Sequence, residues 1–558
     1  NLTESDISVD SPTNNFATFN PLFRYTTAIN DTYSQGNLKV EDNAGHTVAV
    51  GTIPMTSGKW YWEVFCLRTS YSGSDEYGMF DPSLNIPSST GSTPADVGTG
   101  GYFYSGSGWT KANGSYVANP GSQASIGEMD IIAFAYDVSA ATFKIYVNNV
   151  LQKTLTVAAQ ASYIPSVGNS HPSYSIDYIA NFGQDSSFAG NRVSQGNQDS
   201  NEIGDFYYTP PSGYLALCTK NLPDVDVVPS EHFNTVLWAG NGSAGHAITG
   251  VGFPPDLLWT AERTSTSANH LFDSVRDYKG LYTNLSNAES NQSAMTGPDS
   301  DGFTVGVSGG YNESGQTYVG WNWKANGSGS ANNDGDNNAT VSVNTDAKFS
   351  IVSYTGSGGE PKTVAHGLGV SPEMVIIKKR NNAGSWIVWH KDLADNYAFE
   401  GLNTNGAAVS GGSPISKYVD AVSSTLVTLG DASENNNSGD TFIMYCWASV
   451  DGYSKVGAYT GNDSTDGPFV YTGFRPAWVM TKSIGTGNSW WIIDNKRDTY
   501  NEADAGSRAD DSSAEMGTYM NKDLLSNGFK IRTANGQSNG SNSGNPGYIY
   551  IAFAESPF

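Results

Sequence analysis

The chain has 558 residues, too many for one hydrophobic core, so its length predicts several domains. It contains 63 glycines and only 15 % charged residues, and its Val, Ile, Thr and aromatic runs are bounded by Gly, Asn, Asp and Ser. This composition predicts an all-β, multi-domain protein. The formal net charge of −25 repels phosphate groups and anionic lipid, so no nucleic acid and no membrane surface is expected as a partner.

The three cysteines, Cys66, Cys218 and Cys446, lie far apart, in or beside apolar runs. Their number is odd and their spacing fits neither a disulfide framework nor a CxxC metal pair, so they are predicted to be buried free thiols. No stretch approaches the ~18 apolar residues of a membrane span, which predicts no membrane insertion. The polar opening, NLTESDISVDSPTNN, has no signal-peptide pattern, which leaves open whether other residues precede Asn1 in the gene product.

Short strand patterns follow one another from about residue 15 to 190. The clearest are SGKWYWEVF at 57–65 and GGYFYSGSGWT at 100–110. DIIAFAYD at 130–137 and TFKIYVNN at 142–149 are separated by a short turn and end in an Asn-Asn step. This arrangement predicts an antiparallel meander.

GKWYWEV, GEMDIIAFAYD and FKIYVNN together resemble the SPRY (B30.2) family of β-sandwiches. The family pattern has a GxxYWEV-like strand, a Gly-Asp step before a hydrophobic strand that ends in Asp, and an F-x-x-Asn-Gly strand. This chain departs from it at Asn149, where the family has Gly, and at Met129, which interrupts the Gly-Asp step. The resemblance implies a SPRY-like β-sandwich over residues 1–200 that binds other molecules through loops at one end and carries out no chemistry.

Aromatic residues in the Gly- and Ser-rich segments of this sandwich are candidates for a binding surface, because a ring in such a loop is not easily buried. A sugar-binding surface needs flat apolar faces beside neutral or acidic hydrogen-bonding groups. The candidate ligand-binding residues are Tyr71, Asp75, Tyr104, Trp109 and Asn113. Loop aromatics also serve subunit contacts, which is the alternative interpretation.

Residues 201–231 carry Pro210, Pro211, Pro223 and Pro229. They predict a semi-rigid connector in which the apolar segment YLALC docks on a neighbouring element.

Three segments beyond the connector repeat one series of motifs. VLWAGNG, IVSYTGSGG and VGAYTGND open them, GFPPDLLWTAER, GVSPEMVIIKKR and GFRPAWVMTKS follow, and TYVGWNWKA, TFIMYCWAS and YIYIAFAE close them. The period of roughly 100 residues is an ordinary domain size and too long for a stacked solenoid. The sequence therefore predicts three tandem β-sandwich-like domains at 232–327, 347–453 and 454–558, with a flexible linker at 328–346.

The closing motif of each repeat has large side chains at alternate positions, which predicts a buried strand. These side chains are Trp321, Trp323, Tyr445, Trp447, Ile551 and Phe553. Four further tryptophans in strand-like runs, Trp386, Trp389, Trp490 and Trp491, are predicted to be core residues as well.

Patterns that could carry catalysis are weak. G-x-S-x-G occurs at 306–310 and 536–540, but no helical pattern follows either match, so both are predicted to be turns. Asp273, Arg276 and Asp277 recur as Asp494, Arg497 and Asp498. Paired carboxylates could act on a sugar, but an Arg that bridges carboxylates or loop carbonyls predicts a structural role instead.

No cofactor and no metal site is predicted. NNDGDNNAT at 332–340 places Asp334, Asp336 and Asn338 at alternate positions, as in a calcium loop, but it lacks the Gly and the bidentate Glu of such loops. The seven histidines show no HxH or HxxxH spacing.

GFPPDLLW, LFDSVRD, SDGFTVG and NESGQTYVGWNWKA, with ATFNPL, LALCTKNLP and IAFAESPF, resemble virion proteins of marine tailed phages. In these proteins a SPRY-like region precedes such modules, and the resemblance covers nearly the whole chain. It implies a tail fibre, a tail-associated adhesin or a head appendage. Such polypeptides usually carry a virion-anchoring segment ahead of the SPRY-like part; none is evident here, which implies a missing front end or an independently attached protein.

We therefore expect a structural and binding protein without catalytic residues, on the virion exterior. It would attach the particle to a host-surface glycan or protein and would contact other virion proteins. Further copies of the chain are expected partners, in a homo-oligomer for which a trimer is the usual phage-fibre arrangement. The alternatives are a head or tail decoration protein that binds only virion proteins, a depolymerising tailspike enzyme, and a cellular surface adhesin.

Overall fold

The computed structural model describes residues 15–23, 31–42, 47–69, 75–82, 100–117, 123–158, 162–169, 175–223, 227–290, 295–307, 309–359, 362–393, 400–409, 418–517, 519–540 and 547–556. Within these ranges nearly all regular structure is β-strand, and the chain divides into two units, residues 1–224 and 225–558. The two α-helices described, α1 (Gly309–Asn312) and α2 (Ser433–Asn436), are single turns. Short 3₁₀ turns lie at Thr219–Asn221, Pro229–Glu231 and Ser274–Arg276. The predicted all-β, multi-domain β-sandwich class is confirmed.

The first unit is built from two sheets. Its strands are β1 (Asp31–Ser34), β2 (Lys39–Asp42), β3 (Thr47–Val50), β4 (Lys59–Thr69), β5 (Asp75–Phe80), β6 (Gly101–Ser105), β7 (Thr110–Ala112), β8 (Ser115–Val117), β9 (Ile131–Asp137), β10 (Thr142–Val147), β11 (Val150–Thr156), β12 (Ile164–Asn169), β13 (Ile176–Asn181) and β14 (Leu215–Ala216). The larger sheet has the order β1-β2-β13-β4-β9-β10-β11, and the smaller has the order β3-β12-β5-β6-β7-β8. The antiparallel pairs β9–β10 and β10–β11 confirm the predicted meander.

Alternation along β4 explains how the two sheets pack. Trp60, Trp62 and Val64 belong to the core between the sheets, whereas Tyr61 and Phe65 point to the opposite face of the larger sheet. The outer face is not solvated, because residues 188–218 cover it.

The segment predicted as a connector is therefore part of the first unit up to residue 223. Its YLALC segment docks as predicted, since β14 pairs in parallel with the start of β4. The carboxylate of Glu63 accepts hydrogen bonds from the backbone N–H groups of Tyr207 and Tyr208, at 2.9 and 2.8 Å. Burial raises the pKa of Glu63 to about 7.

The second unit consists of three repeats with the same topology. The first has β15 (Phe233–Ala239), β16 (His246–Thr249), β17 (Leu257–Glu262), β18 (His270–Asp273), β19 (Leu281–Tyr282), β20 (Met295–Asp299), β21 (Gly302–Val305) and β22 (Thr317–Trp323). The second has β23 (Ser330–Asn332), β24 (Ala339–Asn344), β25 (Phe349–Thr355), β26 (Lys362–Ala365), β27 (Met374–Lys379), β28 (Ile387–His390), β29 (Glu400–Gly401), β30 (Val419–Val422), β31 (Leu426–Leu429) and β32 (Thr441–Trp447). The third has β33 (Ser454–Thr460), β34 (Phe469–Tyr471), β35 (Arg475–Ser483), β36 (Trp491–Asp494), β37 (Ser507–Arg508), β38 (Lys522–Leu525), β39 (Gly528–Ile531) and β40 (Gly547–Ser556).

Each repeat pairs a larger sheet with a three-stranded sheet. The larger sheets run β15-β22-β17-β18-β19, β23-β24-β25-β32-β27-β28-β29 and β33-β40-β35-β36-β37. The last strand of each repeat is therefore central: β22 lies between β15 and β17, β32 between β25 and β27, and β40 between β33 and β35. The smaller sheets are β16-β21-β20, β26-β31-β30 and β34-β39-β38. The closing motif is thus a central buried strand, as predicted.

The three larger sheets share one hydrophobic core. Trp321 and Trp323 of the first repeat, Tyr445 and Trp447 of the second, and Phe553 of the third belong to the same cluster of buried side chains. The three repeats, predicted as tandem domains, therefore lie in one compact unit and share a core. A sheet that buries one face against its own small sheet has a second apolar face, and here that face is covered by the other two repeats.

The prediction of a flexible linker at 328–346 is wrong, because this segment contains β23 and β24. Both strands extend the larger sheet of the second repeat, with β24 paired to β25 along six residues. Alternating valines, Val341 and Val343, place apolar side chains against that repeat's core. The polar composition of KANGSGSANNDGDNN is typical of a linker and gave no signal for the hairpin of β23 and β24.

The predicted core residues are buried. Trp386, Trp389, Trp490 and Trp491 are at most 5 % exposed, and the three cysteines are buried free thiols. Asn149 has φ +64° in the turn between β10 and β11, the left-handed conformation that the family's Gly supplies and that Asn tolerates.

Candidate ligand-binding surface on strands β6 to β8

The hairpin of β7 and β8 is formed by a two-residue Asn-Gly turn. Asn113 has φ +52° and Gly114 has φ +74°, the conformations of a type I′ turn, whose twist matches that of the flanking strands. The side chain of Asn113 further fixes the turn, because its Oδ1 accepts a 2.7 Å hydrogen bond from the Gly100 N–H. This geometry pairs Lys111 directly with Tyr116.

Trp109 lies at the end of the tight turn between β6 and β7. Its N–H donates to the Oγ of Ser105 at 3.2 Å, and its carbonyl accepts from the Ser105 N–H at 2.7 Å. Gly108 has φ +82° and lies so close to the Gln123 carbonyl that a Cβ would approach it to 3.0 Å. The turn is therefore held from both sides, while the Trp109 side chain remains 41 % exposed.

Trp109 and Tyr116 form an exposed aromatic pair. Their ring centroids are 5.9 Å apart at an interplanar angle of 76°, and Tyr116 is 63 % exposed. Lys111 lies beneath them, with Nζ 5.1 Å from the centre of the Tyr116 ring. The same ammonium forms a 2.7 Å ion pair with Glu76, and both of these side chains are buried. The aromatic surface is therefore positioned over a neutralised charge pair.

The structure does not bring the predicted site residues together on one exposed surface. Trp109 is exposed, and Asn113 lies on the neighbouring turn, where it has a structural contact. Tyr71 lies outside the described residues. The predicted loop position of Tyr104 is wrong: it lies on β6, is fully buried, and its hydroxyl donates a 2.6 Å hydrogen bond to the Ala124 carbonyl. Burial raises its pKa to about 12.

Asp75 is also buried, as the first residue of β5. Its carboxylate accepts a 2.8 Å hydrogen bond from the Tyr77 hydroxyl, and burial raises its pKa to about 6. A Cβ on Gly106 would come within 1.9 Å of the Asp75 Oδ1, so this carboxylate is enclosed by the β6–β7 turn. Asp75 and Tyr104 support the surface from below and do not reach it.

Tyr116 is the residue that sequence reasoning missed. The signal was present in KANGSYV, since an Asn-Gly turn places the second residue after Gly opposite the second residue before Asn. With Tyr116, the surface offers two exposed rings at an angle of 76°, next to a turn in which the hydroxyls of Ser105 and Ser107 are 3.2 Å apart. Such a surface can bind the apolar face of a sugar or an apolar side chain of a protein.

The repeated Asp-x-x-Arg motif has the predicted structural role. Arg276 Nε lies 2.6 Å from Asp273 Oδ2, and Arg497 Nε lies 2.6 Å from Asp494 Oδ2, with all four side chains buried. Ser538, the central residue of the second G-x-S-x-G match, is buried in a turn, and Ser308 of the first lies outside the described residues.

The calcium-like loop uses its carboxylate internally. Asp336 Oδ2 accepts hydrogen bonds from the N–H and the hydroxyl of Thr363, at 3.0 and 2.8 Å. The described residues contain no group of three or more His, Cys, Asp or Glu side chains arranged to hold a metal ion. In the same part of the chain, no helix has the length and apolarity to cross a membrane.

The fold and this surface define a multi-domain β-sandwich protein. The chain belongs to the family of the domain of unknown function DUF7483, whose model matches residues 228–557 and thus all three repeats. No curated protein matches the chain.

Solved structures with similarity to the chain include SPRY domains. The crystal structure of the SPRY domain of human HERC1 is 15 % identical and covers 29 % of this chain and 96 % of that domain, with a TM-score of 0.25. The TRIM65 PSpry domain is 13 % identical over 29 % of this chain and 89 % of its own, with a TM-score of 0.23. The stonustoxin structure is 15 % identical over 30 % of this chain and 27 % of its own, with a TM-score of 0.22.

Proposed function

We propose that this protein is a structural and binding protein on the exterior of a marine tailed-phage particle, a tail fibre or adhesin that attaches the particle to its host. The observation that carries the proposal is the exposed pair of Trp109 and Tyr116 on a rigid hairpin. The sequence motifs of the repeats and of the connector support the virion location.

Rigidity of the hairpin matters because a preorganised aromatic surface loses little entropy when it binds. Around the pair, the turn, the Asn113 contact and the buried ion pair of Lys111 with Glu76 fix the backbone and the ring positions. The ligand is a host-surface glycan or protein. Each site needs only modest affinity, since several copies in a homo-oligomer on one particle multiply weak contacts.

A second candidate function is a decoration protein that binds only other virion proteins. Val150 and Leu151 favour it, because they are 61 % and 51 % exposed at the start of β11, an edge strand of the larger sheet. Exposed apolar side chains on an edge strand suit a subunit contact.

Two measurements distinguish these functions. Immunogold labelling of intact particles, with antibody raised against residues 15 to 200, locates the protein by electron microscopy. The purified full chain is then tested as a competitor of phage adsorption, beside a Trp109→Ala/Tyr116→Ala double variant. Tyr500→Ala is the matched control, because Tyr500 is also an exposed aromatic residue, at 86 %.

Label at the distal end of the tail, with competition by the wild-type chain and at least tenfold weaker competition by the double variant, supports attachment. Label spread over the head, with no competition, supports the decoration protein. Absence of label from the particle contradicts both functions.

A further inference from the structure

The third repeat contains a cleft that the proposed attachment surface does not use. Its volume is about 390 Å³, within the roughly 300–1,000 Å³ that small-molecule sites occupy. It lies beside the junction with the second repeat, which contributes Asn405 to the lining. Side-chain amides, two aromatic rings and one guanidinium line it, among them those of Asn405, Asn488, Gln537, Trp491, Tyr519 and Arg508.

The aromatic part of the cleft is layered. Trp491 is buried, and its ring lies nearly parallel to that of Tyr519, with centroids 6.5 Å apart and an interplanar angle of 18°. The guanidinium of Arg508 lies 5.6 Å from the centre of the Trp491 ring and 3.2 Å from Asp511. Tyr519 is 45 % exposed and presents a ring to the solvent side.

The amide part of the cleft is preorganised. Trp491 Nε1–H donates to Gln537 Oε1 at 3.0 Å, and Gln537 Nε2–H donates to Asn488 Oδ1 at 2.8 Å. Asn488 in turn donates to the Gly536 carbonyl at 2.7 Å. Within the described residues this leaves Gln537 one amide N–H and further acceptor capacity for a ligand.

The other two repeats do not share these side chains. In the third repeat, Trp491 on β36 pairs with Arg508 on β37. The equivalent pair is His270 and Tyr282 in the first repeat, and Ile387 and Gly401 in the second. In the first repeat Tyr311 packs against His270, with ring centroids 5.4 Å apart. Because the fold is the same in all three repeats, a Trp–Arg pair is not required by the architecture.

The neighbouring junction departs from the repeat pattern as well. Arg263 pairs with Glu515 at 2.8 Å and Arg380 pairs with Glu289 at 2.9 Å across the two other junctions. All three junctions share one backbone hydrogen bond, which beside the cleft runs from the Ala408 N–H to the Ile484 carbonyl at 3.0 Å. Ala408 and Ile484 have no charged side chains, so the ion pair of the other two junctions is absent at these positions. The cleft therefore lies where the repeats have diverged in two independent contacts.

We infer that this cleft is a saccharide-binding site, with Tyr519 as the stacking platform. A pyranose has an apolar face for an aromatic ring and vicinal hydroxyls that both donate and accept hydrogen bonds, which matches amides and a guanidinium. The inference goes beyond the attachment function, because it concerns a separate site in the second unit and does not depend on where the protein is located.

The test measures binding of four defined probes to the full chain by saturation-transfer NMR and calorimetry. The probes are chitotetraose, cellotetraose, mannotetraose and tetraguluronate, each up to millimolar concentration, and the last reports whether Arg508 selects an acidic sugar. Tyr519→Ala and Asn405→Ala remove groups at the exposed rim without touching the amide network. Tyr500→Ala is the matched control in the same repeat.

At least one probe is expected to bind saturably, about tenfold more weakly to Tyr519→Ala, more weakly to Asn405→Ala, and equally to Tyr500→Ala and wild type. The inference is overturned if no probe saturates or if Tyr519→Ala binds like wild type. It is also overturned if binding is lost in Trp109→Ala/Tyr116→Ala instead. Failure of the attachment function, seen in the adsorption assay, leaves these outcomes unchanged.

Discussion

The indole N–H of Trp321 donates a 3.0 Å hydrogen bond to Oδ2 of Asp494 and joins the first repeat to the third. The equivalent contact between the second repeat and the first is the 2.6 Å hydrogen bond from the Tyr445 hydroxyl to Asp273 Oδ2. In each case the carboxylate also pairs with a buried arginine of its own repeat. The closing strand of one repeat thus donates a hydrogen bond to the carboxylate of a buried ion pair in the neighbouring repeat.

The third junction has the same position but different chemistry. Ile551 of the third repeat, in the place of Trp321 and Tyr445, has no side-chain donor, and His390 occupies the place of the aspartate. The His390 Nε2–H donates to the Tyr550 carbonyl at 3.3 Å, and its Nδ1 accepts from the Asp392 N–H at 3.2 Å. A neutral imidazole therefore replaces an ion pair where the closing strand offers only a backbone carbonyl.

We expect Asp494→Ala to lower the free energy of unfolding of the second unit by about 3–5 kcal/mol. The substitution removes the carboxylate that pairs with the buried Arg497 Nε at 2.6 Å and accepts the Trp321 indole N–H, and it leaves Arg497 the longer, 3.4 Å ion pair with Glu515. Calorimetry of the full chain measures the effect. Asp431→Ala, at an exposed aspartate, is the control and should change stability by less than about 0.5 kcal/mol. Equal effects of the two substitutions would contradict a structural role for the motif.

Trp447→Ala should destabilise the second unit by about 3–5 kcal/mol, since it removes a large ring from a packed core. Trp447 is stacked on Phe349, with centroids 5.1 Å apart at 21°. Trp109→Ala is the control, because the same substitution at an exposed site should cost under about 1 kcal/mol. A Trp447→Ala protein that remained stable but lost ligand binding would show that this strand belongs to a binding site.

The positions of Trp447 and its equivalents could be predicted because alternation along a strand depends only on local sequence. The shared core of the three repeats could not be predicted, because alternation shows which side chains are buried but not which sheet covers them. Arg263 and Glu515, 252 residues apart, illustrate this: neither has a local signal for the other. Similarly, Asp75 and Tyr104 are polar and flanked by Gly and Ser, which predicts a loop, yet both are buried on strands.

The third repeat alone, residues 454–558, should not fold as a stable domain. Trp478, Ile551 and Phe553 on one face of its larger sheet are buried against the other repeats in the common core. Exposed in isolation, that face would favour an unfolded or aggregated chain. Far-UV circular dichroism and size-exclusion chromatography of this fragment, beside residues 225–558, test the expectation; a monomeric, cooperatively unfolding fragment would contradict it.

The stability of the second unit should fall as the pH is lowered from 6.5 to about 4, in part through His390. Burial lowers the pKa of His390 from 6.5 to about 4. The unfolded chain therefore takes up a proton below pH 6.5, whereas the folded chain resists protonation until about pH 4. Since one unit of pKa corresponds to about 1.4 kcal/mol, the full loss through this residue is about 3 kcal/mol.

His390→Gln removes this titration while keeping a side-chain N–H that can reach the Tyr550 carbonyl. The variant should be less stable than wild type at pH 7, where the imidazole packs and hydrogen-bonds best. Between pH 7 and pH 4, however, it should lose about 3 kcal/mol less than wild type, because carboxylates titrate alike in both proteins. Calorimetric unfolding at several pH values measures the difference, and His246→Gln at a partly exposed histidine is the comparison. Parallel stability curves for wild type and His390→Gln would contradict this, because they would show that His390 binds its proton equally well in the folded and the unfolded chain.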